Sequence, residues 1–523
     1  MCGITLTIGP QADVSLARSL HAANAARGPD MQGVYARRAG ADLLLLGASV
    51  LGLRGAITAQ PRVGAGVLAW NGQVFSGLDV GVHENDTACL FAALEASSDP
   101  LSVLAAIEGP WAFVYIRADK VTFGVDPLSR RSLLLHTPDE TCRSLILSST
   151  RSPLARERGM RMRALQGGEV GVLDLSCLGG DGVIDWGRAL ALYRLPVTVA
   201  DVNRVLPASH PEQLSVVEAE VDTFLSQLTA AVRRRVENIP APPTGGARVA
   251  VLFSGGVDCS LLVCLIHAVL PPDEPVDLVN VAFAQPKPRG KGSQASIGYD
   301  VPDRLSGRDA VVELRAAFPD RELRFVEVDV DVETSRSARL AVVDAMYPSD
   351  TEMDLSLAYP LYFASAGHGR VDGEAYTVSA KVYFSGLGAD EQLAGYTRHR
   401  KAFDRGGWNG LVDEIQLDLD RLPQRNLARD DRVLSAHARD ARYPYLDLEF
   451  VKYVSALPVW AKCNLALPPG EGDKALIRLA AARCGISQTA RRVKRAMQFG
   501  TKSAKLYQGA PRGYKAGEQR IAT

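Results

Sequence analysis

The chain has 523 residues, 47% hydrophobic and 23% charged, an ordinary globular composition whose length suggests about two to four domains. Lys and Arg together number 59, as do Asp and Glu, so the net charge of zero excludes a general attraction to nucleic acid or membrane. No stretch is apolar enough to span a bilayer, and no signal peptide is visible. The eight cysteines show neither CxxC nor zinc spacing, so we expect reduced thiols in a cytoplasmic protein. A basic run at residues 491–495 fits either a local anion contact or a solvated surface.

The first 175 residues are predicted to be rich in β-structure, because short apolar runs alternate with Gly, Asp and Ser. Two patterns of helical spacing, at about 15–26 and 86–96, predict helices outside the sheets. The predicted strands are 4–8, 43–53, 67–75, 111–116, 121–125, 145–147 and 170–175.

The second part is predicted to alternate strands and helices, which favours a parallel doubly wound sheet. Polar stretches at 178–181 and 199–213 are predicted to connect the parts, residues 285–299 to be a mobile insertion and the last dozen residues a frayed tail. Strands are predicted at 249–253, 276–283 and 323–330, and helices at 214–236 and 261–270, with a Pro/Gly breaker at 240–246.

Cys2 is the first candidate for chemistry because of its position. Removal of Met1 would leave a thiol and a free α-amino group on one residue. The amine has an ordinary pKa of about 7.7–8.0. It can therefore act as a base for its own side chain near neutral pH. Taken alone, a cysteine at this position fits burial or chance equally well.

Four downstream residues favour a glutamine-hydrolysing site around Cys2. The Arg54 guanidinium suits the α-carboxylate of an amino acid, and Asp86 at a helix start suits its α-ammonium, although Asp86 also fits a helix cap. Asn71 and Gly72, predicted to lie in a turn beside a strand, offer an amide and a backbone N–H to an oxyanion. In this order, residues 1–175 resemble the class II glutamine amidotransferases, further matching at 27–30, 109–113 and 126–130.

A glycine turn between an apolar strand and a helix provides the second candidate site. Backbone N–H groups at such a helix start bind phosphate, and Asp258 could hold Mg²⁺. The sequence lacks the Gly-Lys-Ser/Thr of a Walker A loop and resembles the pyrophosphatase loop of adenylating enzymes. The predicted nucleotide-binding residues are Phe253, Ser254, Gly255, Gly256, Asp258 and Ser260.

A second strand, glycine turn and acidic helix start follows at residues 384–391. Ser385 and Gly386 are predicted to bind the nucleotide, and Asp390 to share a divalent cation with Asp258. A plain turn with an acidic helix cap is the alternative. The upstream nucleotide loop favours the functional interpretation.

Residues 214–505 resemble the synthetase domain of the asparagine synthetase family, and residues 301–304, 388–396 and 425–432 resemble its branch of asparagine synthetase domain-containing proteins. The resemblance implies a four-layer αββα N-terminal-nucleophile sandwich at 1–190 and a parallel-sheet, adenine-nucleotide α-hydrolase-like domain at 212–510. It implies that Cys2 releases ammonia from glutamine and that ATP with Mg²⁺ activates aspartate. It also implies that Phe283 contacts the nucleotide and that Lys474 faces the transferring phosphate.

Three positions depart from the family pattern. Gln73 stands where the family usually has a glutamine-binding Glu, Cys259 where it has Ser, and Leu387 where asparagine synthetases have a proton-handling Glu. Leucine can neither take a proton nor bind ammonium. These departures bear on the ATP-dependent activation of aspartate more than on the release of ammonia from glutamine.

Three functions therefore stay open from the sequence. The first is a glutamine-hydrolysing asparagine synthetase, an ATP-dependent ligase of amino-acid biosynthesis. The second is an amidotransferase for another carboxylate, and the third is a non-catalytic interaction protein derived from a synthetase. The expected partners are glutamine, ATP and an amino-acid carboxylate, with neither nucleic acid nor membrane, and a homodimer is the candidate oligomer.

Overall fold

The computed structural model describes residues 2–9, 13–39, 42–177, 186–196, 199–207, 218–242, 245–286, 297–505 and 518–521. It is a mixed α/β protein with several sheets, as the sequence predicts. None of the helices in these ranges is long and apolar enough to cross a membrane.

The strands of the first part are β1 (Gly3–Gly9), β2 (Met31–Ala39), β3 (Asp42–Val50), β4 (Arg62–Val63), β5 (Gly66–Gly72), β6 (Trp111–Arg117), β7 (Lys120–Val125), β8 (Leu134–His136), β9 (Leu145–Ser148), β10 (Arg163–Ala164), β11 (Glu169–Asp174) and β12 (Leu190–Arg194). Its helices are α1 (Val14–Ala25), α2 (Asp86–Ala96), α3 (Pro100–Ala106), α4 (Pro153–Glu157) and α5 (Trp186–Ala189).

The second part has strands β13 (Val249–Leu252), β14 (Val276–Phe283), β15 (Gln285–Pro286), β16 (Ile297–Gly298), β17 (Leu323–Val330), β18 (His368–Val371), β19 (Glu374–Thr377), β20 (Val382–Phe384) and β21 (Asp440–Arg442). Its helices are α6 (Val221–Arg234), α7 (Val257–Val269), α8 (Pro302–Ala317), α9 (Val332–Met346), α10 (Glu352–Ala366), α11 (Ala389–Gln392), α12 (Thr397–Leu422), α13 (Ala428–Ser435), α14 (Leu448–Ala456), α15 (Val459–Lys462), α16 (Ala475–Arg483), α17 (Ser487–Ala490) and α18 (Met497–Gly500).

Two six-stranded antiparallel sheets, ordered β10-β8-β9-β1-β3-β2 and β12-β11-β7-β6-β5-β4, form the first part. Their facing sides share one core, which contains Leu6 and Leu46 of one sheet and Val114 and Phe123 of the other. Helix α1 packs on the outer face of the first sheet and α2 and α3 on that of the second. Cys2 therefore lies just before a central strand.

A seven-stranded sheet ordered β19-β18-β17-β14-β13-β20-β21 forms the second part. Five neighbouring strands of this sheet pair in parallel, namely β17, β14, β13, β20 and β21. Strand β14 is buried along its whole length, because helices cover both faces of a parallel sheet. Helices α6, α7 and α16 cover one face, and α9, α10 and α12 the other. The glycine loops after β13 and β20 thus leave the same edge of the sheet.

Most predicted elements are confirmed, and α2 begins and ends where the sequence places it. Strand β2 was not predicted, because its sequence MQGVYARRA has little apolar periodicity. The predicted turn at Asn71 and Gly72 is wrong, since both residues end β5. The strand predicted at 43–53 ends at Val50, which leaves Arg54 in a loop.

The chain outside these elements differs in part from expectation. Residues 287–296 of the predicted mobile insertion lie outside the described residues, whereas its ends pair as β15 and β16. The predicted fraying is wrong for residues 518–521. The Ile521 N–H donates to the Asp350 carbonyl, and Arg520 forms an isolated antiparallel β-bridge with Thr351. Strand β12 begins at Leu190, where the first domain is predicted to end, and pairs with β11 of the first part.

Buried ion pairs join the two parts. Arg27 pairs with Asp431 at 2.9 Å, and Arg131 pairs with Asp440 at 2.6 Å. Arg235 pairs with Glu108 of the first part at 3.3 Å and, within the second part, with Asp447 at 2.6 Å, which also accepts from Arg234 at 2.8 Å. Removing one partner of such a pair leaves a buried charge uncompensated.

We expect Asp447→Asn to lower the free energy of unfolding by about 3–5 kcal/mol, because its side chain is fully buried between two guanidinium groups. Asparagine preserves the cap that Asp447 provides to α14. The control is Asp222→Asn, whose exposed pair with Arg483 should contribute about 0–1 kcal/mol. Chemical denaturation of both variants measures the difference, and equal small losses would contradict the assignment.

Candidate functional site

The first candidate site surrounds Cys2. The Cys2 backbone nitrogen donates to Asn71 Oδ1 at 3.1 Å, and the Arg27 guanidinium donates to the Cys2 carbonyl at 3.2 Å. Asn71 Nδ2 is buried and has no hydrogen-bond acceptor within the described part of the chain. A buried donor of this kind is suited to an oxyanion. Burial raises the pKa of the Cys2 thiol.

Arg54 and Asp86 lie beside this thiol, as their predicted roles require. The Arg54 guanidinium donates to the carbonyls of Val74 and Val80, both at 2.8 Å. Burial raises the pKa of the Asp86 carboxyl, which accepts the Val74 N–H at 3.1 Å. The helix cap is Asn85, whose side chain accepts the Thr87 N–H. Asp86 is therefore not needed for capping.

The space at this site is small. Cys2, Arg54, Gly72, Gln73 and Asp86 line a cavity of about 20 Å³, roughly the volume needed for one water molecule. Asn71 is not among the residues that line this cavity, but its side chain accepts a hydrogen bond from the Cys2 backbone nitrogen. A glutamine side chain would enter only after local rearrangement.

The first glycine loop lies between β13 and α7. Gly255 has φ +75°, and a Cβ at this position would approach the Ser306 carbonyl to 2.2 Å. Only glycine therefore allows this close approach of loop and helix α8. Gly256 is the N-cap of α7, so the helix begins with its free N–H groups facing the loop.

The second loop packs directly against the first. A Cβ at Gly386 would lie 3.0 Å from Asp258 Cβ, so glycine permits the contact. Gly388 has φ +99° and starts the short helix α11. Both loops line one cavity of about 1010 Å³ at the carboxyl edge of the sheet. Ligands of open α/β sheets bind at this edge.

Asp258 and Asp390 converge on one cationic group. Lys474 Nζ lies 2.7 Å from Asp258 and 2.8 Å from Asp390. Lys474 adopts φ +52°, a strained conformation that is found at functional sites. Burial opposes ionisation of Asp390, but Lys474 and Lys494 hold the pKa of that carboxyl well below its usual value.

This geometry fits a divalent cation. Two carboxylates already share one positive group, and Mg²⁺ is commonly held by one or two carboxylates together with substrate phosphates. No cluster of three or more His, Cys, Asp or Glu suited to a metal occurs in the described ranges. Phosphate oxygens would thus have to complete the coordination.

Two predicted nucleotide residues lie outside the cavity wall. Ser260 is fully buried inside α7, because it lies beyond the first residues that face the loop. Phe283 packs edge-on against Tyr359 and Phe363 in the core. Phe253, Ser254, Gly255, Gly256, Asp258, Ser385, Gly386, Asp390 and Lys474 do line the cavity.

Sequence reasoning left open whether the basic run at 491–495 is a local anion contact or a solvated surface, and the structure places part of it at the cavity. Lys494 pairs with Asp390, and Arg492 donates to the carbonyls of Gly255 at 2.8 Å and Ser306 at 2.6 Å. Arg495 also lines the cavity. The density of positive charge was the available signal, but a solvated surface would give the same pattern.

Leu387 lies in the cavity wall and packs, half-buried, against the core. Glu391 follows in α11, where it accepts the Gly388 N–H at 3.1 Å and the Tyr396 hydroxyl at 2.6 Å. Burial, assisted by the neighbouring Asp390, raises the pKa of Glu391 to about 7. Position 387 is half-buried in the same turn, so a carboxylate added there would be partly removed from water.

Comparisons with a family model and with individual relatives point to the same family. The model of the asparagine synthase family matches residues 223–413 and 404–514. Asparagine synthetase domain-containing protein 1 of Bos taurus is 34% identical to this chain in an alignment that covers 92% of this chain and 91% of the Bos taurus protein. The Homo sapiens protein of the same name is 33% identical, and the alignment covers 88% of each chain. A solved glutamine phosphoribosylpyrophosphate amidotransferase from B. subtilis covers 63% of this chain and 81% of its own at 14% identity and TM-score 0.31.

Proposed function

The chain belongs to the asparagine synthase family, and from this premise we propose that it is a glutamine-dependent amidotransferase that forms an amide from a carboxylate at the expense of ATP. The observation that carries the proposal is the meeting of Asp258, Asp390 and Lys474 across two glycine loops. Aspartate is the proposed acceptor and asparagine the product.

In the first reaction, the Cys2 thiolate attacks the glutamine carboxamide, and ammonia leaves as a thioester forms. Once Met1 is removed, the Cys2 α-amine accepts the thiol proton. Asn71 Nδ2 and the Gly72 N–H donate to the oxyanion, while Arg54 and Asp86 bind the α-carboxylate and α-ammonium. Gln73 contributes an uncharged acceptor to the same pocket. Water then releases glutamate.

In the second reaction, ATP adenylates the acceptor carboxylate and releases pyrophosphate. Residues of both loops, including Ser254, Gly256 and Ser385, bind the phosphates. Asp258 and Asp390 would hold Mg²⁺, which neutralises phosphate charge and orients the polyphosphate. Lys474 moves its ammonium from the two carboxylates towards the developing negative charge. Ammonia then displaces AMP.

We further propose a four-layer N-terminal-nucleophile sandwich at 1–190 and an adenine-nucleotide α-hydrolase-like unit at 212–510. The shared core of two sheets with helices outside supports the first, and the parallel sheet with two glycine loops supports the second. We propose a cytoplasmic location for this chemistry.

A second candidate is an amidotransferase for a different carboxylate. Leu387 in the cavity wall favours it, because the position offers no group to handle a proton or to bind ammonium. ATP–pyrophosphate exchange across amino and keto acids separates the two, since exchange requires only adenylation. Exchange with aspartate supports the first proposal, and exchange with another acid alone supports the second.

We expect Asp258→Asn to weaken Mg-ATP binding by about tenfold, or ~1.4 kcal/mol, because one proposed metal ligand loses its charge. Calorimetric titration measures the dissociation constant. The control is Asp320→Asn, in an exposed turn before β17 at the opposite edge of the sheet. If the unmodified protein shows no affinity at millimolar Mg-ATP, both catalytic proposals fail and the interaction protein remains.

A further inference from the structure

Residues 73–75 begin at the wall around Cys2, and the first half of the chain holds their backbone. Gln73 lines the pocket directly. The Val74 carbonyl accepts from Arg54 at 2.8 Å, and the Val74 N–H donates to Asp86 at 3.1 Å. The two residues proposed to bind glutamine therefore also fix the backbone of this segment.

The second half of the chain holds the side chains of the same segment. Arg442 Nη2 lies 3.5 Å from Gln73 Oε1. The guanidinium carbons of Arg235 and Arg442 lie 4.6 Å and 5.6 Å from the centroid of the Phe75 ring, within the range of cation–π attraction. Both arginines are fully buried, so water screens these contacts little.

Arg442 also contacts the second glycine loop. It ends β21, where it pairs in parallel with Phe384 of β20, and its carbonyl accepts the Ser385 N–H at 2.9 Å. Asp440 fixes its guanidinium through a 2.9 Å bond to Nε. One residue thus joins the loop proposed to bind ATP to Gln73, which lines the Cys2 pocket, and to Phe75 of the same segment.

We propose that Arg442 is a positioning residue through which a nucleotide at the Ser385 loop promotes glutamine hydrolysis at Cys2. The inference rests on the proposed function. A ligand that orders the loop fixes the Arg442 backbone, and its guanidinium then holds Gln73 and Phe75 in the conformation that accepts glutamine. The proposed coupling acts on the binding of glutamine. Because binding free energies are reciprocal, glutamine must strengthen Mg-ATP binding by the factor by which Mg-ATP strengthens glutamine binding.

The test compares glutamate release with and without saturating Mg-ATP in the full chain with Met1 removed. For the unmodified protein we expect Mg-ATP to raise kcat/KM for glutamine by about fivefold or more. Arg442→Lys should lose most of this response, because a lysine has no planar group to hold both Gln73 and Phe75. The control is Arg234→Lys, which changes a nearby arginine whose hydrogen bonds go to Asp447 rather than to residues 73–75 and which should keep the response.

A second variant guards against failure to fold. Phe75→Leu removes the ring that both guanidinium groups contact and leaves every charge paired, and it should also lose the response. A second readout is calorimetric binding of Mg-ATP to Cys2→Ala protein with and without glutamine, where no turnover occurs. Glutamine should lower the dissociation constant in this protein and not in Cys2→Ala combined with Phe75→Leu.

The outcomes separate the two proposals. Absence of glutaminase activity in the unmodified protein overturns the proposed function at the first site. Glutaminase that ignores Mg-ATP, with no effect of glutamine on nucleotide affinity, overturns the coupling and leaves the function intact. A response that survives in both Arg442→Lys and Phe75→Leu overturns the role of Arg442.

Discussion

Cys2→Ala should abolish the release of glutamate from glutamine, lowering turnover by about 10⁴-fold or more, as loss of a covalent nucleophile does. The remaining groups can bind glutamine but cannot form the thioester. The matched control is Cys177→Ala, which removes a partly exposed thiol remote from the pocket and should leave turnover unchanged. Undiminished glutaminase in Cys2→Ala would exclude the proposed first reaction.

The free N-terminus is a separate requirement of the same prediction. A tag that precedes Cys2 should reduce turnover as strongly as the alanine variant, because an amide nitrogen cannot accept the thiol proton. The mass of the purified protein establishes whether Met1 is present. Since burial raises the pKa of the Cys2 thiol, a base at this position is needed near neutral pH.

The sequence was sufficient to predict the local structures that depend on neighbouring residues. Helix α2 is predictable because Asn85 caps it and a regular apolar face follows. The two glycine loops are predictable because each follows an apolar strand and precedes a helix. Strand β2 could not be predicted, since it is an edge strand whose pairing with β3 rather than its own periodicity determines its conformation.

Contacts between distant parts of the chain were beyond sequence reasoning. Gln73 and Arg442 are 369 positions apart, and no local pattern indicates that they meet. Ser260 shows the opposite limit, because the loop motif predicts a phosphate contact for a side chain that is fully buried and does not line the cavity. Lys474 was identified only through a family resemblance, and its two carboxylate contacts became visible in three dimensions.

Formation of asparagine by the unmodified protein should be weak, because Leu387 replaces the Glu that handles a proton in asparagine synthetases. Loss of a positioned acid–base group typically costs about 10²–10⁴-fold in rate. Ammonia-dependent formation of asparagine from aspartate and Mg-ATP measures this directly. Rates like those of an ordinary synthetase would show that position 387 has little influence.

Leu387→Glu should raise this rate, provided that the new carboxyl ionises. Partial burial of position 387 works against ionisation, as full burial does for Glu391, whose pKa is raised to about 7. We therefore expect the gain to grow as pH rises and the new carboxyl loses its proton. Leu387→Gln is the matched control. Glutamine has nearly the same shape as glutamate, but its amide cannot accept a proton, so this variant should give no gain.

The pattern of outcomes at position 387 decides between acceptors. A gain with Glu and none with Gln would mean that the cavity binds aspartate and lacks only a proton acceptor. No gain with either, in a protein that still exchanges pyrophosphate with another carboxylate, would mean that Leu387 shapes the cavity for that acid. The second result has a physical reason, because Leu387 packs against the core and presents an apolar side chain to the cavity that Asp390 also lines.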